Sequence, residues 1–473
     1  MDSRTTVAIA GATGFVGRAL AENLAPACRI VGLARRPPVA APAAVEWRRC
    51  DLFSLLQCEQ ALEGVEQAVY LIHSMLPSAH LTQGAFQDMD LICADNFARA
   101  AARAKVKHIV YLGGLTPGET GLSRHLSSRL EVERTLGSRG VPVTALRASI
   151  IVGPGGSSFR MLQTLVERVP IILCPPWMRS LTQPVALDDV IRLLRYSLEH
   201  PAPQSRSFDI GAPEVMSYRE LLQRTARRLR LKRRFVTVPA LGTFWWRWWL
   251  SAVTGAPRAL AAPLVESVRH DMVCRDRRLQ AEAGVPGIPF DAAVQAAVAR
   301  EKAMGRGGRP VRPAWHGLWR ELYRYDVRSV QRMALPSGRS ALWAAEQYGA
   351  WLPRFFRVLL RVDVDSRRNV RFRLPGSRTP LVELTFAHDR SAEPSRQVYY
   401  ITGGALVLQT ERDTARPRLE FREVLGGRVL LVAIHDYRPA LPWPLYNCTQ
   451  AIIHLWAMWG FARYLARLAP PGE

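Results

Sequence analysis

Three glycines near the amino terminus have the spacing of a turn that holds phosphate groups. The run comprises Gly11, Ala12, Thr13, Gly14, Phe15, Val16 and Gly17, and it lies between a β-branched apolar segment and a segment with apolar residues at helical spacing. A strand, a glycine turn and a helix in that order point N–H groups and the positive end of the helix dipole at an anion. We expect Gly11 to form the tight turn, Gly14 to admit a pyrophosphate and Gly17 to let helix and strand pack closely.

Two arginines follow the second predicted strand, at the place where the ribose of a dinucleotide is expected. An acidic residue about 20 residues beyond the glycines would bind the 2′-hydroxyl of NAD, but this position holds Arg35 and Arg36. A guanidinium matches phosphate oxygens bidentately, so the pair favours the 2′-phosphate of NADP. We therefore predict NADP(H) rather than NAD(H), with chance as the alternative because only four of the 64 basic residues are lysine.

These residues require a sheet of parallel strands to bring them together. Short apolar strands are predicted at 6–10, 28–37, 45–52, 65–75, 106–112 and 143–152, with helical stretches between them, notably 88–105. This alternation predicts an α/β fold with a doubly wound parallel Rossmann sheet. Such a sheet binds ligands beyond the carboxyl ends of its strands. The further cofactor contacts expected there are Asp51, Leu52, Ile72, His73, Ser74 and Gly113.

Composition limits the class of protein. A chain of 473 residues with 48% hydrophobic content predicts two globular domains. The net charge of +24 would attract acidic partners, but no nucleic-acid-binding motif accompanies it, so we predict no nucleic-acid partner. The seven cysteines have no metal-ligand spacing, which predicts no metal site and a reducing compartment. Without a signal peptide or a long apolar run, the expected location is the cytoplasm, with a peripheral position on the inner membrane left open.

Further strings accompany the glycine turn in the first 300 residues. They are Asp51-Leu52 and the segments 146–155, 183–190 and 208–213. With these strings the region resembles an atypical or extended short-chain dehydrogenase/reductase. The segments 70–75 and 110–115 make it similar to an NmrA-like NAD(P)H-binding subgroup that carries a C-terminal DUF2867-type domain.

That resemblance implies a Tyr-x-x-x-Lys pair on the helix after the fifth strand and a serine at the end of that strand. Here Gly113 and Gly114 occupy the serine position, and the segment 123–133 holds no tyrosine. His125 and Arg129 lie one helical turn apart on this segment, on one face. In one interpretation His125 transfers the proton and Arg129 is a fixed cation on the ribose. In the other, the site binds dinucleotide without turnover. His73 follows the fourth strand and either lines the crevice as a second candidate or is hydrogen-bonded to local backbone.

The most aromatic stretch contains Trp245, Trp246, Trp248 and Trp249. Tryptophans at these positions surround a helix, so they cannot share one narrow stripe. Three interpretations remain: packing between domains, a clamp over a hydrophobic substrate, or peripheral contact of Trp245–Trp249 with a membrane.

A glycine-, arginine- and proline-rich stretch at 304–313 predicts a linker between a domain at 1–303 and a second domain at 314–473. Short strand-like segments then follow at the end of 351–365 and at 370–374, 381–386, 397–401, 406–410, 418–424 and 429–435, before an apolar helix at 445–468. An antiparallel sheet with a long C-terminal helix resembles the START/SRPBCC helix-grip arrangement, which implies an apolar cavity. Six polar residues either face that cavity or, by alternation along strands, lie in solvent: Glu420, Arg422, His435, Asp436, Gln450 and His454.

Together these observations predict an NAD(P)H-dependent oxidoreductase that acts on a hydrophobic carbonyl or quinone-like substrate. The alternative is a non-catalytic NAD(P)H-binding sensor or ligand-binding protein. The sequence leaves the oligomeric state open.

Overall fold

The computed structural model describes residues 4–38, 44–73, 81–118, 121–239, 246, 251–253, 255, 266, 268–304, 327–357, 360–408 and 416–469. The chain divides into two compact units. The first contains residues 1–76 and 96–314, and the second contains residues 77–95 and 315–473. The sequence contained no signal that would assign 77–95 to the second unit. Apart from Met304, the predicted linker lies outside the described residues.

Buried β-branched and apolar runs form the central sheet of the first unit. Its strands are β1 (Thr6–Ala10), β2 (Arg29–Ala34), β3 (Val45–Arg49), β4 (Gln67–Tyr70), β6 (His108–Gly114), β7 (Val143–Ala148) and β12 (Arg206–Ile210). Within the described residues these seven strands are parallel, in the order β12-β7-β6-β4-β1-β2-β3. Strands that are buried on both faces consist of continuous apolar residues, which is why the sequence pattern predicted these strands. The predicted doubly wound parallel sheet is confirmed.

The first unit also contains helices that bury apolar side chains. They are α1 (Phe15–Leu24), α2 (Leu55–Ala61), α4 (Arg124–Leu136), α5 (Ser157–Arg168), α6 (Leu187–Glu199), α7 (Tyr218–Arg228), α8 (Arg278–Glu282) and α9 (Phe290–Ala303), with a 3₁₀ turn at Pro176–Arg179. The helix α3 (Phe86–Arg103) has its residues from 96 onward in this unit. Leu20 and Leu24 of α1 lie one turn apart and are buried with Val190 and Leu194 of α6 in one core.

Short strands flank the main sheet of the first unit. They are β8 (Ile151–Val152), β9 (Ile171–Cys174), β10 (Leu181–Thr182), β11 (Val185–Ala186), β13 (Met216–Ser217) and β14 (Arg234–Thr237). They pair as β8 with β11, β9 with β14 and β10 with β13. A second core of the same unit forms beside them, where α5, α7 and α9 bury Phe159, Leu221 and Val294.

The second unit contains an antiparallel sheet. Its strands are β5 (Leu81–Gln83), β15 (Val327–Ala334), β16 (Arg361–Val364), β17 (Val370–Arg373), β18 (Pro380–Phe386), β19 (Arg396–Gly403), β20 (Arg418–Val424) and β21 (Val429–Tyr437). Their order is β16-β17-β18-β19-β20-β21-β15-β5, and among the described strands only β5 joins in parallel. The predicted antiparallel sheet is confirmed, whereas β15 lies in a part of the sequence where no strand was predicted.

Helices cover one face of that sheet. They are α10 (Ala341–Phe356), α11 (Trp443–Cys448) and α12 (Gln450–Leu468), with a 3₁₀ turn at His388–Arg390. Tyr348 of α10, Phe461 of α12 and Phe421 of β20 meet in the core. Gly460 permits the close approach of the two long helices, because a Cβ atom there would lie 2.8 Å from the ring of Phe355. The predicted long C-terminal helix is confirmed as α12, although it begins at Gln450 and not at residue 445.

One predicted strand, 406–410, was wrong. Residues 406–408 lie outside any strand, and 409 and 410 are not among the described residues. Gly404 has a φ of +114°, and a Cβ atom there would lie 2.3 Å from the carbonyl oxygen of Leu381. The chain therefore turns immediately after β19, and Val407 makes only an isolated bridge with Pro439.

Candidate functional site

The glycine turn joins β1 to α1 with the geometry expected of a phosphate loop. Gly11 has a φ of +94°, and its carbonyl oxygen accepts a hydrogen bond from the N–H of Gly14 at 2.9 Å. A Cβ atom at Gly17 would lie 2.2 Å from that same oxygen, so no side chain fits there. Gly14 caps α1 without a side-chain bond, and the first turn contains no acidic residue. The helix start thus presents N–H groups and a positive dipole end to an anion.

Gly14 is less restricted by the surrounding protein than Gly17 is. A Cβ atom at Gly14 would meet only the oxygen of Gly11, at 3.1 Å, among atoms within 4 Å. Its φ of −78° and ψ of 177° suit any residue. A Cβ atom at Gly14, where a pyrophosphate would approach the backbone, would thus make one tight contact, which is much less severe than the 2.2 Å overlap at Gly17. These features fit a dinucleotide.

The other residues of the glycine turn differ in how far their side chains are buried. Ala12 is buried and Thr13 is exposed. Phe15 and Val16 pack against the core of the unit. The ring of Phe15 also closes on the loop after β8, because Cβ atoms at Gly153 and Gly156 would lie 2.9 Å from it. Phe15 and Val16 are thus partly buried, and their backbone N–H groups lie at the start of α1, where an anion is expected.

The predicted crevice residues lie where the parallel strands end, on one edge of the sheet. Arg35 and Arg36 follow β2 and are exposed. Asp51 and Leu52 follow β3, where Asp51 Oδ1 accepts from the N–H of Phe53 at 3.2 Å and shapes the turn. Gly113 lies at the end of β6, and Ser74 is outside the described residues.

Two of the candidate residues are brought into contact by the fold. His73, three residues beyond β4, and His125, in the first turn of α4, have Nε2 and Nδ1 3.2 Å apart. Their ring centroids are 4.9 Å apart. One imidazole can therefore donate to the other, and a proton can pass along the pair. The sequence pointed to each histidine separately, and their separation of 52 positions along the chain gave no sign of the contact.

Arg129 lies on the buried side of α4 and forms hydrogen bonds with backbone carbonyls near the ends of β4 and β6. Its Nη1 donates to the carbonyl oxygen of Ile72 at 3.3 Å, and its Nη2 donates to that of Leu112 at 2.9 Å. The guanidinium lies 5.2 Å from the ring centroid of Tyr111, whose hydroxyl donates back to the Arg129 carbonyl at 3.2 Å. Two of its donor nitrogens thus hold the ends of β4 and β6 together, beside His73. Sequence reasoning missed the part played by Tyr111, because no local pattern marks it.

The Trp-rich stretch is described only at Trp246. This side chain is buried, and its ring meets that of Trp177 edge to face, with centroids 5.8 Å apart. Trp246 therefore packs within the first unit, against Trp177. Trp245, Trp248 and Trp249 lie outside the described residues.

The polar residues proposed for the second domain are mostly in a buried ion network, so neither the cavity nor the solvent interpretation was right for them. Glu420 Oε2 accepts from Arg422 at 2.6 Å, and Asp95 Oδ2 accepts from Arg422 at 2.9 Å. Asp436 pairs with Arg418 at 2.8 Å. This network lies on the sheet face opposite the helices, because Leu419 and Phe421 of the same strand face the helical core.

The remaining members of that set are also accounted for by hydrogen bonds or burial. His454 Nε2 lies 3.1 Å from Ser329 Oγ, and burial lowers the pKa of His454 to about 4. Gln450 donates to the hydroxyl of Tyr437. Burial, together with the charges of nearby arginines, lowers the pKa of His435 well below its usual range.

No group of histidine, cysteine and carboxylate side chains in the described ranges has the arrangement of a metal site. Among the described helices, none has the length and apolar character needed to cross a membrane.

Comparisons with known proteins agree with this geometry. Residues 11–159 match a family model described as NAD(P)H-binding. The auxiliary protein GraX of Staphylococcus aureus is 34% identical over 139 residues, which are 29% of this chain and 42% of GraX. The match thus spans less than half of that relative. A (4-alkanoyl-5-oxo-2,5-dihydrofuran-3-yl)methyl phosphate reductase of Streptomyces griseus is 26% identical over 238 residues, which are 48% of this chain and 76% of the reductase.

Among solved structures, the triphenylmethane reductase of a Citrobacter species is similar in fold. Its TM-score is 0.50 at 19% identity, and the match covers 62% of this chain and 99% of that chain. Residues 11–159 therefore form an NAD(P)H-binding domain by their match to the family model, and the fold of this part of the chain is similar to that of the triphenylmethane reductase.

Proposed function

We propose that the protein is an NAD(P)H-dependent oxidoreductase of the atypical short-chain dehydrogenase/reductase type, in which His73 and His125 supply the proton. The observation that carries this proposal is the 3.2 Å contact between the two imidazoles at the sheet edge to which the glycine turn also belongs. The dinucleotide, when bound, supplies a hydride. The reduced carbonyl or quinone oxygen then needs a proton from the protein, and an imidazole suits that transfer near neutral pH.

Each residue has a separate role in this proposal. The backbone of the glycine turn holds the pyrophosphate. His125 donates the proton to the substrate oxygen, and His73 returns one to His125 through their shared hydrogen bond. Arg129 is a positioning residue, because its bonds to the carbonyls of Ile72 and Leu112 fix the loop that carries His73. A ribose contact from Arg129 remains a prediction.

The preference for NADP(H) rests on Arg35 and Arg36. Both are exposed just beyond β2, and the position expected of a ribose-binding carboxylate holds no acid. A hydrophobic carbonyl or quinone-like compound remains the proposed substrate class. The reductase named among the relatives supports reduction as the chemistry, since it aligns over 76% of its own length. A DUF2867-type, ligand-binding role for the second unit also remains a prediction from the resemblance.

The test is to mix NADPH anaerobically with a panel of quinones and ketones and to follow the absorbance of the reduced nicotinamide. We expect His125→Ala to lower kcat about 10²–10⁴-fold, because general acid catalysis contributes that much, and to leave NADPH affinity unchanged. His200→Ala is the matched control, since His200 is an exposed histidine at the end of α6. Equal kcat for wild type and His125→Ala would refute the proposed role.

Cofactor preference is tested separately by titration calorimetry. We expect Arg36→Ala to weaken NADPH binding about 10-fold or more, since a charge-assisted bond to phosphate contributes roughly 1.5–3 kcal/mol, and to leave NADH binding nearly unchanged. Arg195→Ala is the control, because Arg195 lies on the outer face of α6 and pairs with Glu199. Equal loss of both nucleotides would remove the argument for NADP(H).

A second candidate function is dinucleotide sensing without turnover. Two observations favour it: the segment 123–133 contains no tyrosine, and Arg129 directs two of its donor nitrogens at backbone carbonyls. It predicts tight NADPH binding, no oxidation with any member of the panel, and unchanged affinity in His125→Ala.

A further inference from the structure

The C-terminal helix α12 is apolar on two opposite sides, but only one of them is buried. Ala457, Met458, Phe461 and Leu465 are buried in the core of the second unit. On the opposite side large apolar side chains are exposed. Of the sixteen such side chains that are exposed in the described part of the chain, seven lie between residues 445 and 468. A helix that is apolar all round is normally enclosed on all sides, so this exposed side requires a partner.

The exposed side forms one continuous stripe, which we call the outer stripe: Ile452, Leu455, Trp456, Trp459, Arg463 and Arg467. These residues recur at intervals of three and four and therefore share a face. Ile452 is 57% exposed and Trp459 is 58% exposed. The apolar members occupy the first turns, and the two arginines occupy the last.

Neighbouring aromatic side chains extend the outer stripe sideways. The ring of Phe355 on α10 lies 4.5 Å from that of Trp456 and 4.4 Å from that of Trp351, centroid to centroid. These contacts hold one face of Trp456 in place while the side chain remains 44% exposed. Arg463 lies over the ring of Trp459, 4.6 Å from its centroid. The aromatic side chains of α10 therefore pack against the outer stripe, and one of its arginines, Arg463, lies beside one of its aromatic rings.

Charge distinguishes between the partners that such a stripe could take. The chain contains no aspartate or glutamate between residues 437 and 472, while Arg438, Arg463 and Arg467 fall in that span. A second copy packed on the stripe by two-fold symmetry would bring the same patch against itself. The arginines would then face arginines in a parallel pair or the apolar first turns in an antiparallel pair, and in neither case would an acidic side chain of the stripe pair with them. An anionic lipid surface supplies both the apolar layer and the missing negative charge.

We propose that the outer stripe of α12 lies in the headgroup region of an anionic phospholipid membrane. Ile452, Leu455, Trp456 and Trp459 enter the boundary between headgroups and acyl chains, which is where tryptophan rings partition. Arg463 and Arg467 reach lipid phosphates, as arginines do from the edge of an apolar face. The helix lies along the surface and does not cross it. The residues of this site are different from those of the Trp-rich stretch at 245–249.

The experiment is co-sedimentation of the full chain with vesicles. One set is phosphatidylcholine with about a third phosphatidylglycerol, and the other is phosphatidylcholine alone; added salt should weaken binding to the first set. We expect Trp456→Ser combined with Trp459→Ser to lower the partition coefficient at least about 10-fold, since two large apolar side chains are lost from the interface. The shift of tryptophan emission on adding vesicles should disappear in the same variant.

The matched control combines Ile171→Ser with Val236→Ser, which removes two apolar side chains exposed to a similar degree on β9 and β14. We expect this control to sediment as wild type does. Arg463→Glu combined with Arg467→Glu should lose binding to the anionic vesicles while the thermal transition is retained. The proposal is overturned if wild type does not bind anionic vesicles, or if the tryptophan variant binds them as well as wild type. It is equally overturned if sedimentation velocity shows a dimer that this variant abolishes without any vesicle binding.

Discussion

Glu420 is the residue on which the stability of the second unit should depend most strongly. It is completely buried on β20, and its carboxylate accepts four hydrogen bonds. Oε1 accepts from Arg418 Nε at 2.6 Å and from Arg396 Nη2 at 3.1 Å. Oε2 accepts from Nε and Nη2 of Arg422 at 2.8 and 2.6 Å. One negative charge therefore compensates three buried guanidinium groups, of which Arg418 also pairs with Asp436 and Arg422 also pairs with Asp95.

Glu420→Gln keeps the size of the side chain and removes the charge. Removing one partner of a buried ion pair costs about 3–5 kcal/mol, because the remaining charges are left uncompensated. At about 2–4 °C per kcal/mol for a domain of roughly 150–250 residues, the thermal transition of the second unit should fall by about 6–20 °C. The assay is thermal or urea unfolding followed by near-ultraviolet circular dichroism.

The loss of stability caused by Glu420→Gln should also depend on pH, and the direction of that dependence follows from the pKa of Glu420. Burial by itself would raise the pKa of Glu420, but the charges of Arg396, Arg422 and Arg418 hold that pKa well below its usual range. A carboxylate whose pKa is lower in the folded than in the unfolded state stabilises the protein above the unfolded pKa, and that contribution is lost as the pH falls. The difference between wild type and Glu420→Gln should therefore be constant from pH 8 to about 5 and shrink below about 4.3.

The matched control is Glu383→Gln. Glu383 of β18 pairs with Arg371 of β17 at 3.4 Å on the same sheet, but both side chains are exposed by a third or more. An exposed pair contributes roughly 0–1 kcal/mol. If Glu420→Gln cost no more than Glu383→Gln, the reasoning that burial of the network makes its charges indispensable would be refuted.

Three further predictions concern the first unit. Gly17→Ala should destabilise it by about 1–3 kcal/mol, because the new Cβ would lie 2.2 Å from the Gly11 oxygen. Gly14→Ala places its Cβ 3.1 Å from the same oxygen, so it should lower the melting temperature less than Gly17→Ala does and yet weaken NADPH binding; intact affinity would contradict the phosphate-loop assignment. Burial, with the charge of Arg206, lowers the pKa of His108 to about 4; stability should therefore fall as the pH drops from about 6.5 to about 4, and a His108→Gln variant that kept this dependence would disprove the cause. Arg129→Lys should cost about 1–3 kcal/mol in urea unfolding, since a lysine cannot bridge two carbonyls as the guanidinium fork does; an unchanged transition would show that these hydrogen bonds are dispensable.

Much of the first unit could be predicted because its signals are local. The strands around Val7 and Val110 are buried on both faces, so their composition alone marks them. The turn at Gly11 and Gly17 follows from steric limits within a few residues of chain, and these limits are the same wherever the turn occurs. Parallel strand order then places every strand end on one edge, which is why the candidate residues could be named in advance.

What the sequence determined by itself is therefore the glycine turn, the alternation of strands with helices, and the antiparallel strands and long helix of the second unit. Only the tertiary structure decided that His73 contacts His125, that Asp95 pairs with Arg422 across 327 residues of sequence, and that one side of α12 stays exposed. The physical reason is one of range. A glycine turn or a hydrophobic periodicity results from interactions between residues that are close in sequence. Whether a charge is buried or an apolar face is left exposed depends on which distant segments the folded chain brings beside it.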